Sequence, residues 1–196
     1  MIEKALAQKK IRSSAIVLLN TLGQDLTDPN NMDTPQRIAL SYTDALCRGL
    51  FEPEPVLKTF PSTGYDEMIL VKDIDCYSLC SHHYLPFLGK AYIAYIPDKQ
   101  LLGLSKINRW VDWMSRRPTI QEQLTQGIAQ GLYERLQPKG VAVVIKAYHL
   151  CMMIRGVKQK GFAVTSCLVG AFKEHPETRQ EFFDLVEGDN GRDIWK

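Results

Sequence analysis

The chain has 196 residues and a mass of 22.3 kDa, with 45% hydrophobic and 23% charged residues. That composition is globular, has room for one domain of ordinary size, and excludes intrinsic disorder and fibrous repeats. Twenty-four Lys and Arg against 22 Asp and Glu leave a net charge of +2. This excludes a protein held to nucleic acid by bulk charge, while leaving room for a local basic pocket. The longest apolar runs, such as 141–145, fall far short of the ~20 residues a membrane helix needs. The opening Met1-Ile2-Glu3-Lys4 has no apolar stretch of a secretory signal, so a reducing, cytoplasmic setting is the expectation. The five cysteines, Cys47, Cys76, Cys80, Cys151 and Cys167, are odd in number and irregular in spacing. They point to metal, catalytic or buried thiols rather than a disulfide scaffold.

Along the chain, apolar residues at helical spacing (Ile11, Ala15, Leu18, Leu19, Leu22) predict a helix over 2–22, followed by a polar loop over 25–33. Thr34-Pro35 reads as a hydroxyl cap with proline at the first helical position, opening a helix that runs to Arg48 and stops at Gly49. The stretch 50–64, with Pro53, Pro55, Pro61 and Gly64, separates this helical front from a strand-rich body, giving a division into 1–66 and 67–196.

In the body, 68–75 and 90–97 are strand-like. Ser105 reads as the cap of a helix through Arg117, which Pro118 terminates. Thr119-Ile120-Gln121-Glu122 matches a capping box opening a second helix to about Leu136. A strand over 141–154, another over 163–172 and a short helix over 176–186 complete the order, and the tail beyond reads as polar with one tryptophan, Trp195. The sequence of elements, ββααββ after the N-terminal helices, predicts an α+β domain with an antiparallel sheet and helices on one face. The open edges of such a sheet make oligomerisation a reasonable expectation.

Cys80-Ser81-His82-His83 sets a thiol and an imidazole three residues apart, and His149-Leu150-Cys151 stands within the later part of the 141–154 run. On a strand, His149 and Cys151 would share a face. If the two segments meet, Cys80, His83 and Cys151 form a Cys₂His set, with His82 and His149 beside it. Three such ligands suit Zn²⁺ with a fourth position open for water; a closed structural site would take its fourth ligand from His82 or His149. An open site lowers the pKa of bound water to about 7, and the remaining imidazoles are then candidates for proton transfer.

Lys106 and Arg109 share a face in the first turns of their helix, Arg155 follows Cys151, and Arg37 follows Thr34-Pro35. Converged on one pocket, these cations would hold a polyphosphate. Glu122 has two readings. It completes the capping box, or, buried against a ligand, it accepts hydrogen bonds from the N1–H and N2–H₂ edge of guanine.

The segments Asp33-Thr34-Pro35-Gln36-Arg37, Cys80-Ser81-His82-His83, Gly103-Leu104-Ser105-Lys106-Ile107-Asn108-Arg109, Gln121-Glu122-Gln123-Leu124, His149-Leu150-Cys151 and Arg155-Gly156 together resemble the GTP cyclohydrolase I family. The resemblance runs from about residue 15 to Val186. It implies a tunnelling fold (T-fold) whose subunits join sheets into five-membered rings, two of which stack into a homodecamer. It implies zinc on Cys80, His83 and Cys151, with His82 and His149 as acid/base residues. Glu122, supported by Gln121, would anchor guanine. Ser105, Lys106, Arg109, Arg155 and Arg37 would hold ribose and triphosphate, some of them from neighbouring subunits. The implied reaction opens the imidazole ring of GTP at C8, releases formate and gives 7,8-dihydroneopterin 3'-triphosphate, a step of pterin and tetrahydrofolate biosynthesis. Two departures stand out. Ser81 occupies a position that is usually acidic in the family, and the stretch 157–163 is one residue short. They keep two other readings open: a T-fold paralogue acting on another purine or pterin, and a non-catalytic zinc-containing nucleotide-binding oligomer.

Overall fold

The computed structural model describes residues 3–188; the opening Met1-Ile2 and the tail carrying Trp195 lie outside the described residues. The chain divides into two compact units, Met1–Pro53 and Glu54–Lys196.

The first unit is helical. Helix α1 (Lys4–Thr21) packs on α2 (Thr34–Leu40), burying Ala7 and Ala15 of one and Pro35 and Ala39 of the other. Helix α2 starts one residue earlier than expected: Thr34 is its first helical residue, Asp33 precedes it, and no side chain caps it. Beyond Leu40 the chain does not hold an α-helix to Arg48. It loosens into a π-helical segment (Ser41–Leu46) and tightens into a 3₁₀ turn (Arg48–Leu50).

The second unit is built on one sheet. Strands β2 (Ile69–Cys80), β3 (Pro86–Ile96), β6 (Gly140–His149) and β7 (Phe162–Gly170) are antiparallel neighbours. The two-residue β5 (Pro118–Thr119) adds in parallel beyond β2, giving the order β5-β2-β3-β6-β7. Two three-residue strands, β1 (Thr59–Pro61) and β4 (Gln100–Leu102), pair separately and were not evident from periodicity. Strand β2 is longer than the expected 68–75. A bulge between Val71 and Ile74, with Asp73 at φ 55°, interrupts its alternation, and pairing resumes to Leu79.

Helices α3 (Leu104–Ser115) and α4 (Gln121–Leu136) cover one face of the sheet, as the element order implied. Ile107, Trp110 and Val111 of α3 and Leu124, Ile128 and Leu132 of α4 meet Ile93, Tyr95, Val141, Val143 and Ile145. The other face is not bare: α6 (Ala171–Glu174) and α7 (Pro176–Glu187) bring Phe172, Phe182 and Val186 onto Tyr92, Ala94, Ala142 and Val144. Strand β6, central and covered on both sides, therefore reads Val-Ala-Val-Val-Ile without polar alternation.

Neither expected cap forms in the body. Gly103 precedes α3, placing Ser105 inside its first turn. Ile120 precedes α4, and the Thr119 hydroxyl donates to Ile120 O instead of bridging to Glu122. Pairing of Thr119 with Cys80 in the sheet holds Thr119 extended, one residue too early to cap.

Candidate metal and substrate site

Strand β2 ends at Cys80, and the turn that follows places His83 so that its Nδ1 lies 3.7 Å from Cys80 Sγ. The backbone holds this turn: His83 and Tyr84 N–H donate to Cys80 O, and Ser81 N–H donates to Thr119 O. Tyr84, at φ 53°, accepts a left-handed conformation to close it.

The third member arrives from the end of β6. The strand expected over 141–154 stops at His149, and residues 150–153 form a helical turn, α5 (Leu150–Met153). The face-sharing argument for His149 and Cys151 fails for that reason, because strand alternation no longer applies. The turn brings Cys151 to Cys80 and His83, and the three ligand atoms all lie within 4.8 Å of one another. A tetrahedral ion with sulfur at ~2.3 Å and nitrogen at ~2.05 Å has an S···N edge of about 3.6 Å and an S···S edge of about 3.8 Å. The observed 3.7 Å between Cys80 and His83 fits that edge, and two thiols with one imidazole form a borderline-soft donor set.

Neither His82 nor His149 joins this group among the described residues. His82 is exposed, with its ring edge-on to that of His83 at 6.2 Å. His149 is half-buried, stacked on Phe87 at 4.7 Å with 13° between the rings, and its Nε2 lies 2.7 Å from Gln121 Oε1. Burial pushes its pKa below the ordinary imidazole value, while the Glu122 carboxylate pulls the other way.

The remaining thiols stand apart. Cys76 is fully buried in the core, and burial pushes its pKa up to about 12. Cys47 and Cys167 are also raised by burial. The Cys151 thiol is raised by burial first and by the neighbouring Cys80 second, while Arg155 draws it down. Arg155 is exposed and therefore free to face an anionic ligand beside the cluster.

The helix starts divide the rest. Gln121, expected beside guanine, turns its side chain inward: it is 2% exposed and engaged with His149 and the sheet. Glu122, expected as a buried carboxylate, is exposed in the single chain at the uncapped start of α4. Ser105 and Arg109 are exposed and Lys106 is half-buried at the start of α3. That start lies over the far end of the sheet: Leu102 N–H donates to the Tyr95 hydroxyl, and Tyr95 pairs with Ile69 and Val141. Helix α3 ends at Ser115, and Pro118 just beyond it pairs with Leu79 beside Cys80, so these three residues stand at the end of the helix remote from that junction. Arg37 lies in the N-terminal unit, exposed, 3.7 Å from Asp33.

Sequence reasoning missed Phe87, Thr125 and Thr165, which support His149 and Gln121. The i, i+4 spacing of Gln121 and Thr125 was the only local signal.

The sequence pattern of the GTP cyclohydrolase I family matches residues 11–187. A protein named GTP cyclohydrolase 1 from Sulfurihydrogenibium sp. (strain YO3AOP1) is 47% identical over 183 residues, 91% of this chain and 95% of the relative. One of the same name from Aquifex aeolicus (strain VF5) is 46% identical, covering 94% of this chain and 99% of its own length. A third, from Thermobifida fusca (strain YX), is 44% identical, covering 92% and 89%. An α+β body with a five-stranded sheet and a Cys-His-Cys cluster, in a chain similar to these proteins, defines an enzyme of the cyclohydrolase class. The chain belongs to the GTP cyclohydrolase I family, and its α+β architecture is that family's tunnelling fold.

Proposed function

We propose that this chain is a zinc-dependent GTP cyclohydrolase, which opens the guanine imidazole ring at C8, releases formate and yields 7,8-dihydroneopterin 3'-triphosphate. The observation that carries the reading is the three-membered Cys80, His83, Cys151 cluster, with the His149 imidazole outside it, in a chain of this family. Zn²⁺ held there would supply a Lewis acid and lower the pKa of a bound water toward 7.

The protein's own groups do the rest. Glu122, exposed at the start of α4, accepts N1–H and N2–H of guanine, and the uncapped N–H groups of that first turn suit the O6 acceptor. Adenine, with an acceptor at N1, leaves the carboxylate unpaired and is rejected. His149 and His82 move protons at the purine and then the ribose. Arg155, with Ser105, Lys106, Arg109 and Arg37, neutralises the triphosphate.

The far placement of Ser105, Lys106 and Arg109 supports a site shared between subunits. So do the sheet's two edges, β7 on one side and β2, paired outward over only two residues, on the other. The assembly we infer is a homodecamer of two pentameric rings, with 67–196 as the catalytic body and 1–66 as a helical region and connecting loop. No described helix is long and apolar enough to cross a membrane; by its family resemblance we infer a cytoplasmic enzyme that uses neither membrane nor nucleic acid. Its product would feed pterin or tetrahydrofolate synthesis. The test is incubation of the zinc-loaded protein with GTP and with ATP. Formate and, after oxidation, a fluorescent pterin are expected from GTP alone; their absence overturns the reading.

A further inference from the structure

Behind His149 lies a buried polar group whose hydrogen-bond directions are all determined. The Gln121 side-chain amide lies between Nε2···O contacts to Ile145 O at 3.0 Å, Ala163 O at 3.2 Å and the Thr165 hydroxyl at 3.0 Å. Two of those partners are carbonyls, which only accept. Turning the amide over would aim Oε1 at both carbonyl oxygens, so its NH₂ must face them and Oε1 must face His149.

The two hydroxyls agree. Thr125 Oγ1–H donates to Gln121 O at 2.7 Å, which uses its only proton. Its contact with Thr165 Oγ1 at 2.6 Å is therefore a bond that Thr165 donates. Thr165, its own proton used, is left to accept from the Gln121 amide. The circuit closes on Gln121, whose two N–H protons are shared among three acceptors, and a buried polar network whose groups all face partners is rigid.

An amide oxygen 2.7 Å from Nε2 needs a proton on that nitrogen. The Phe87 ring, stacked on the imidazole, holds the ring plane while this bond sets its rotation. We propose that Gln121 is a positioning residue that locks His149 in the Nε2–H tautomer, so that Nδ1 is the nitrogen that accepts a proton from the reacting purine or ribose. The inference deepens the reading of His149 as a proton carrier and rests on it. It also gives Gln121 a task different from contacting guanine: its side chain orients the imidazole, and Glu122, next in sequence, is left to face the base.

The test is solid-state ¹⁵N NMR of the zinc-loaded protein with ring-labelled histidine, which tolerates a large assembly and has four histidines to assign. His149 is expected to show a protonated Nε2 and an unprotonated Nδ1. Gln121→Met, of similar length but without an acceptor, is expected to give a mixture of tautomers. Its zinc content should be unchanged, kcat about tenfold lower, short of the ~10²-fold cost of a full misplacement, and KM for GTP within about twofold. A parent protein with Nδ1–H, an unchanged tautomer in Gln121→Met, or a raised KM with unchanged kcat would each overturn the assignment. The tautomer is read without turnover, so a parent that carries Nε2–H but fails to consume GTP refutes the proposed activity and leaves the positioning role standing.

Discussion

Leu79 pairs in parallel with Pro118, which moors the chain just beyond α3 beside the Cys80 turn. The Ser78 hydroxyl, donating to Arg117 O, fastens the same junction. Lys106 stands nine residues back along α3 from Ser115, roughly 14 Å at 1.5 Å per residue. On the proposed reading, a phosphate-binding Lys106 serves a cluster in another copy of the chain. Lys106→Ala and Cys151→Ala oligomers, each inactive alone, should regain turnover after mixing and subunit exchange. At equal amounts about a quarter of sites combine an intact cluster with an intact neighbouring helix. No recovery in mixed oligomers verified by mass spectrometry would refute the shared site.

Cys151 and Cys76 make a controlled pair. Both thiols are raised by burial, but Cys151 stands within 4.8 Å of two other ligand atoms and Cys76 sits sealed in the core. Cys151→Ala should lose zinc and activity together, measured by metal analysis and formate release. Cys76→Ala should keep zinc and lose only stability, about 1 kcal/mol for a small buried side chain.

Glu122→Ala is expected to raise KM for GTP by about 10- to 100-fold, the worth of a hydrogen-bonded charge at ~1.5–3 kcal/mol. Its melting temperature should hold, because α4 starts without a side-chain cap and Glu122 contributes none. A capping role would reverse the pattern, with lower Tm and unchanged KM.

The cluster was legible in the sequence because ligand chemistry is local: Cys80 and His83 are three residues apart, and a Cys beside a His is a strong sign wherever it falls. The order of the four long strands and of α3 and α4 was equally legible from periodicity. The geometry between segments was not. Alternation placed Cys151 on a strand, whereas β6 stops at His149 and a helical turn delivers the thiol. The capping-box pattern at Thr119 was overridden by pairing with Cys80, a contact 39 residues away that no local rule contains. Gln121 went wrong in direction for the same reason, since the carbonyls that hold its amide come from β6 and β7.

Gly131 and Trp110 test the packing of the two helices under the sheet. A Cβ on Gly131 would sit 2.3 Å from Trp110 Cζ2, and the indole has little freedom to yield. Its Nε1–H donates to Ile128 O at 3.2 Å, and the Arg135 guanidinium lies over it at 4.7 Å. Gly131→Ala ordinarily stabilises a helix by up to ~1 kcal/mol, but overpacking costs about 1–3 kcal/mol. The net expectation is a destabilised protein, read as a lower urea midpoint. A raised midpoint would show that the indole moves aside.

His149→Ala separates metal binding from proton transfer. The imidazole stands outside the Cys80, His83, Cys151 group, so its removal leaves all three ligands in place, and zinc content should match the parent. Its half-buried ring, with its pKa pushed below the ordinary imidazole value by burial and held by Gln121, is the proton acceptor nearest the chemistry by this reading. Losing a positioned acid or base typically costs 10²- to 10⁴-fold, so pterin formation should fall by about that much. If ring opening relies on His82 while the ribose rearrangement relies on His149, formate would still appear as pterin disappears. Loss of zinc in this variant would instead make His149 a ligand, and the open fourth position on which the proposed reaction depends would be gone.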